Sequence, residues 1–418
     1  MSGTAAKMGP NAAWSMAVGG MVGGGIFSTL GVVIEIAGPL AWLSFLAAGF
    51  VALLAGYSYV KLAAHYHEGG GAYTYLRKVG AEQTAGVLVW VLLAGYVLTN
   101  SVYAFTFGQY LAEVIHLGAW FPRFAAVTII GVFVAVNLRG VGEAGFVEIA
   151  LVWFKVAVLV GLAGWGLAHW SPGQLSHGAA STGFGAVIFG AASVFMAYEG
   201  FQLLAYDYDD IANPRRTLPP VVLSAIAAVI VIYVLVAVGT AMLIGADEIV
   251  NYKEVALARA GRAALGTFGL GLVTLAAAAS TGSAINSTLF ATARLTRDVA
   301  RAGDLPAWLG HHNRRDLPGR AIVGLGLAAA VPAAMGNLEM LVEGASLAFL
   351  VTFSIVCVLA WQQRAGHRLW TGLGVMSGLT ATSALVVRLV RVGSPALWAW
   401  GGLLVAAVAV RPWLKRHR

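Results

Sequence analysis

Apolar residues in this chain come in blocks rather than in alternation. Runs of about twenty or more recur from near residue 11 to near residue 413, divided by short polar stretches. About 20 apolar residues let a helix cross a hydrocarbon core of ~30 Å. The blocks predict twelve spans, near 11–36, 39–66, 80–116, 123–138, 144–169, 180–206, 219–245, 265–300, 320–335, 338–362, 368–391 and 396–413. Several exceed one membrane thickness, so they must tilt or extend past the bilayer. The longest polar stretches are 207–218, 246–262 and 301–320. Within the second of these, Asp247 to Arg262 reads as a short amphipathic surface helix. The pattern makes residues 1–418 one all-α polytopic membrane domain.

Composition closes off the alternatives. Hydrophobic residues make up 59% of the chain and charged residues 11%, against about 25% charged in a typical soluble domain. The net charge is +8, but the basic residues punctuate apolar runs, so they point to orientation in a membrane and not to nucleic acid. With both termini on one side, that side receives 19 of the 26 Lys and Arg, the other receives 6, and Lys155 alone lies within a span. This asymmetry predicts cytoplasmic termini and an even number of spans; the expected location is the inner (cytoplasmic) membrane. Cys357, the single cysteine, excludes a disulfide framework and a Cys-based zinc site. No metal and no cofactor is expected. The apolar stretch after Lys7 has no clear cleavage site and reads as the first span, not as a leader.

Two spans are weakened near their middle. The first carries Gly19-Gly20-Met21-Val22-Gly23-Gly24-Gly25-Ile26-Phe27. Glycine in a helix interior costs roughly 1 kcal/mol relative to alanine, and unwound backbone at membrane depth survives only where it lines a cavity or is buried in protein. The alternative is helix packing, since Gly19/Gly23 and Gly20/Gly24 fit a small-xxx-small pattern. The sixth span holds the counterpart, Phe195-Met196-Ala197-Tyr198-Glu199-Gly200-Phe201. Paired interruptions in corresponding positions of two halves point to inverted repeats with a site at their interface. The exposed N-terminus of a half-helix suits a carboxylate.

With these residues in view, the chain resembles the amino acid–polyamine–organocation family of transporters from about residue 10 to 320. Val22-Gly23-Gly24-Gly25-Ile26-Phe27 is similar to that family's first-helix signature. Glu68 to Leu76 resembles the loop after helix 2, and Asp209-Asp210-Ile211-Ala212-Asn213-Pro214 resembles the turn after helix 6. Ser283-Ala284-Ile285-Asn286, Arg294-Leu295 and Gly303-Asp304-Leu305-Pro306 resemble helix 8 and its exit. The resemblance implies a five-plus-five inverted repeat (LeuT-like) with helices 1 and 6 broken. The first repeat would span 11–169, the second 180–362, and helices 11 and 12 would occupy 368–413. The sequence departs from the family at Lys61, Glu199 and Met196, where other members often carry a glutamate, an aliphatic residue and a bulky aromatic.

Two buried charges are expected to matter. If helix 5 starts near Ala144, Lys155 lies ~16 Å deep, near the bilayer centre. A lysine there is costly, and burial disfavours its charged form, which suits it to exchanging a proton. By resemblance to proton-coupled members, Lys155 fills the place of a sodium ion between helices 1 and 8, near the carbonyls of Gly20 to Gly23 and the hydroxyls of Ser280, Thr281 and Ser283. The alternative is a structural lysine bonded to those carbonyls. Glu199 reads as a second proton site, a counter-ion for a cationic substrate, or a cap on unwound backbone. Asn100 lines the pocket or bonds between helices. The turn Asp207–Asp210 is expected to pair with Arg215 or Arg216.

The substrate-binding set is therefore Val22, Gly23, Gly24, Gly25, Ile26, Asn100, Phe195, Met196, Ala197, Tyr198, Glu199 and Gly200; the proton-coupling set is Lys155, Ser280, Thr281 and Ser283. The expected activity is proton-coupled uptake of neutral L-amino acids by alternating access, with amino acid/polyamine or organic-amine exchange as the alternative. The expected partners are an amino acid, protons and the lipid bilayer, with no nucleic acid; the oligomeric state is open. A channel filter, a P-loop and the motifs H-E-x-x-H and G-x-S-x-G are not found in the chain.

Overall fold

The computed structural model describes residues 7–140, 145–176, 183–313 and 317–416. Regular structure among them is helical, with one isolated parallel bridge between Met8 and Ile211. The first apolar block holds α1 (Pro10–Met21) and α2 (Gly25–Ala37). After them come α3 (Ala41–Tyr66), the short α4 (Gly71–Lys78), α5 (Glu82–Ala112), α6 (Phe121–Arg139) and α7 (Gly145–Ala168). The second half holds α8 (Gly173–Ser176), α9 (Phe184–Ser193), α10 (Leu203–Tyr206), α11 (Pro214–Asn251) and α12 (Ala256–Ala302). It ends with α13 (Gly319–Met335), α14 (Leu338–Gln362), α15 (Arg368–Val392) and α16 (Pro395–Arg416).

Nine stretches of described residues are long and apolar enough to cross a membrane, the first of them, Pro10–Tyr66, running through α1, α2 and α3. α9 and α13 are shorter apolar helices. The expected starts of the fifth and sixth spans, at 144 and 180, lie outside the described residues, as do Arg314, Arg315 and Arg418 from the inner-side count.

α5 and α14 sit centrally: 72% and 78% of their most apolar windows are buried, against 28% for α6 and α15. Helices that stay apolar on an unburied face fit a hydrocarbon solvent, where no polar outer face is needed. α1 packs against α7 and α11, and α9 packs against α2 and α3, so both interrupted segments lie inside the bundle.

Residues 246–262 do not form the single surface helix expected. α11 bends at Gly245 (φ 75°, ψ 162°) and continues to Asn251, while α12 begins at Ala256 and bends at Leu265 and Gly266. The charges of this stretch suggested a solvated face, yet Ala246, Ile249, Leu257, Ala258 and Ala260 are buried. Small side chains let the two helical ends fold back onto α2: a Cβ on Gly31 would lie 2.4 Å from Lys253 Cα. Lys253 Nζ then donates to Glu35 Oε2 at 2.5 Å. The turn after α10 also differs from expectation. Asp207 pairs with Arg294 of α12, not with Arg215 or Arg216, because α12 carries its guanidinium across to the turn.

Candidate substrate and coupling site

The first interruption is short. α1 ends at Met21, the Gly23 amide closes a tight turn on Gly20 O at 3.2 Å, and α2 begins at Gly25. The first amides of α2 have no intrahelical acceptor, and the last carbonyls of α1 have no intrahelical donor. Three side chains from elsewhere meet carbonyls at the end of α1 and just past it. Lys155 of α7 donates from Nζ to Gly19 O at 2.9 Å. Ser280 of α12 donates to Val22 O at 2.8 Å. Tyr233 of α11 donates toward Met21 O at 2.7 Å.

The second interruption is longer. α9 ends at Ser193, a tight turn covers Phe195–Tyr198, and Glu199 is extended (φ −67°, ψ 144°). Gly200 stands at φ 130°, a conformation that side-chain-bearing residues rarely adopt. Ser346 of α14 accepts from the Met196 amide at 3.0 Å and donates to Ser193 O at 2.7 Å. The Gly200 amide donates to Gln202 Oε1 at 2.9 Å.

The two interruptions touch. A Cβ on Gly200 would lie 2.6 Å from Gly20 C and Met21 N. The Tyr233 hydroxyl that reaches Met21 O also reaches Ala197 O, at 2.8 Å. Elements more than 170 residues apart in sequence are thus joined by backbone contact and by one phenol.

Glu199 is 1% exposed. Its carboxylate accepts from Gln202 Nε2 at 2.7 Å and from Tyr103 Oη at 3.3 Å. No described cation lies within ion-pair distance of it. The capping role considered for Glu199 belongs instead to Gln202, whose side chain bridges the Gly200 amide and the carboxylate. Gln202 Nε2 also donates to Tyr96 Oη at 3.2 Å, and Tyr96 Oη lies 2.9 Å from Tyr206 Oη. A polar chain therefore runs from Glu199 to the half-buried Tyr206.

The remaining expected residues divide. Lys155 is 1% exposed and meets Gly19, one residue before the predicted carbonyls. Thr281 directs its hydroxyl to Ala277 O of its own helix at 2.8 Å, so it faces α12 backbone and not the first interruption. Ser283 is 9% exposed, and no hydroxyl contact to Lys155 is found for it among the described residues. Asn100 is buried, and its Oδ1 has no hydrogen-bond partner among the described residues, so it bridges to no described helix through that atom. A buried unpaired acceptor costs about 1–3 kcal/mol.

Val22, Gly23, Gly24, Gly25 and Ile26 are all buried, as are Phe195 to Gly200. The unwinding and packing readings of the glycines hold together. A Cβ on Gly23 would lie 2.5 Å from Ala284 Cβ, one on Gly24 would lie 2.1 Å from the Tyr103 ring, and one on Gly25 would lie 2.4 Å from Tyr233 Oη. Leucine at Gly24 or Gly25 therefore disrupts packing whatever the ligand, and such variants do not separate the two readings.

Gln202, Tyr96, Tyr103, Tyr233 and Ser346 escaped the sequence reading as site residues. Gln202 lies two and three positions from Gly200 and Glu199, so its place beside them is open to a local reading; the partners of the other four are up to 212 positions away, and no local pattern marks those.

The family described as amino acid permease matches residues 9–410. "Inner membrane transport protein YbaT" of Escherichia coli (strain K12) is 30% identical over 417 residues, covering 97% of this chain and 95% of that protein. "Cationic amino acid transporter 6, chloroplastic" of Arabidopsis thaliana is 26% identical, covering 94% of this chain and 73% of that protein. "Methylthioribose transporter" of Bacillus subtilis (strain 168) is 27% identical, covering 84% and 80%.

Proposed function

Since the chain belongs to the amino acid permease family, we propose that it is a secondary active transporter taking up neutral L-amino acids with protons across the cytoplasmic membrane. The observation that carries the reading is the meeting of two interrupted helices, Gly20 against Gly200, with Tyr233 bonded to both. In this reading twelve spans form a five-plus-five inverted repeat with cytoplasmic termini. The amino acid carboxylate meets amides at the start of α2, and its ammonium meets carbonyls of Phe195 to Tyr198. Met196 and Ala197 leave room for an uncharged side chain. In this reading Tyr103, which packs directly over Gly24, must move for substrate to enter.

Coupling is assigned to Lys155. Its bond to Gly19 O is charge-assisted, and such bonds are roughly twice as strong as neutral ones. Proton loss weakens the tie between α7 and α1, and reprotonation restores it. A cation already occupying this place leaves none for sodium, so transport needs no sodium. The test is accumulation in proteoliposomes under an imposed pH gradient, wild type against Lys155→Ala. Gradient-driven accumulation lost in the variant supports the reading; sodium-driven, pH-insensitive accumulation in the wild type overturns it.

A second reading rests on Glu199, a buried carboxyl group with no described cation beside it. A cationic amino acid or organic amine supplies that charge, as the names of the plant relatives suggest for those proteins. Competition of lysine, arginine and polyamines with a transported neutral amino acid decides between the two.

A further inference from the structure

Away from the interrupted helices, a cavity of about 710 Å³ opens between α5, α13, α14 and α16. Its volume falls in the ~300–1,000 Å³ range of small-molecule sites. Its walls include Trp90, Leu93 and Val97 of α5, Leu325 of α13, and Trp400 and Leu403 of α16, and Thr296 alone among its lining residues has a polar side-chain group besides the indoles. The Trp90 wall is held in place, its indole N–H donating to Asp304 O at 3.1 Å. Trp308 and Gly324 line this cavity and also a second one, of about 540 Å³, whose other walls include His312, Asn313 and Arg320. The two cavities are therefore neighbours along one groove, apolar along its length and basic at one mouth.

At that mouth Arg320 is exposed and forms no ion pair with a described carboxylate. Arg301 reaches His312 at the same rim. Trp308 is 50% exposed and Leu327 is 65% exposed, so the rim itself presents apolar surface beside its charge. An amphipathic ring at the end of an apolar shaft suits the level where headgroup meets hydrocarbon.

We propose that this groove binds an anionic phospholipid, one acyl chain in the shaft and the headgroup phosphate at Arg320. The apolar walls favour an alkyl chain, because each buried methylene adds affinity that a free anion cannot gain. An arginine with no described carboxylate paired to it favours a negative headgroup, as basic pockets between membrane helices do in general. The site is separate from the interrupted helices and does not depend on the substrate.

Native mass spectrometry of the purified full-length protein tests this, with equimolar phosphatidylglycerol and phosphatidylcholine of the same acyl chains. Wild type should retain phosphatidylglycerol about tenfold over phosphatidylcholine. Arg320→Gln, at an exposed position, should bind both lipids alike. Ala328→Trp, which fills the shaft from another exposed position, should reduce both, while remaining monodisperse on size exclusion. Excess inorganic phosphate should leave the lipid bound. Equal retention of the two lipids by wild type, an unchanged preference in Arg320→Gln, undiminished lipid in Ala328→Trp, or displacement by phosphate would each overturn the proposal.

Discussion

The two interrupted segments solve one problem by opposite means. Around Val22 to Gly24 the chain supplies bare backbone, and the polar partners come from other helices: Lys155, Ser280 and Tyr233. Around Glu199 the chain brings its own chemistry, a carboxylate and the Gln202 amide three residues on, with Ser346 as an outside partner. The first segment offers carbonyls to donors, one of them a cation. The second presents a buried carboxyl group with no described cation beside it. Under the proposed function, the difference would separate two jobs: holding a proton-dependent tie, and shaping the place where a substrate's charge is met.

The sharpest way to break this division is at Lys155. Lys155→Ala should reduce pH-gradient-driven accumulation to background while counterflow exchange persists, as measured in proteoliposomes. If accumulation survives, the cation at the first segment is merely structural and the contrast collapses.

Tyr233→Phe attacks the one group that both segments share. It removes the hydroxyl from Met21 O and Ala197 O, and leaving buried acceptors unpaired costs about 1–3 kcal/mol. Uptake should fall about tenfold, with a lowered thermal midpoint in detergent. An unchanged midpoint would mean that the segments are held together by packing alone.

Glu199→Gln keeps the size of the side chain and a carbonyl that can accept from Gln202 or Tyr103. Neutral amino acid uptake should stay within about threefold of wild type, worth ~0.7 kcal/mol, whereas binding of any cationic competitor should be lost. Collapse of neutral uptake would move proton coupling from the first segment to the second.

The smallest effect is expected at Thr281. Its hydroxyl bonds its own helix, so Thr281→Val should change stability by no more than about 0.5 kcal/mol and leave the pH dependence of uptake intact. A flattened pH profile would bring Thr281 back to the Lys155 neighbourhood.

The same contrast governs what could be read from the sequence. Three adjacent glycines in an apolar block point to an interruption, because each costs a helix interior roughly 1 kcal/mol relative to alanine, while the same residues also suit close helix packing. Glu199 beside Gly200 announces the second. Lys155 stands out by its depth. Most of what satisfies these segments is invisible locally: Tyr233 and Ser346 look like ordinary residues of apolar helices, only folding brings them to their acceptors, and Ser280 is expected near the first segment through the family resemblance alone. Residues 246–262 misled for the converse reason. Their charges suggested a solvated face, while alanines between them were the contact surface, and an alanine gives little hydropathic signal of which side it will bury.

The contact of Gly20 with Gly200 has a mechanical consequence. Where two chain segments meet through side chains, any rotation must lift interlocking knobs out of their holes. Here main chain rests on main chain, so the joint is a smooth bearing: the half-helices can roll about it without climbing a steric tooth. Even a methyl group at either position would be a ratchet, fixing one angle between the halves. The bare fulcrum puts the turning point of any rocking motion at the place where the two interrupted segments already touch, so the motion would change the carbonyls and amides there least in position and most in orientation.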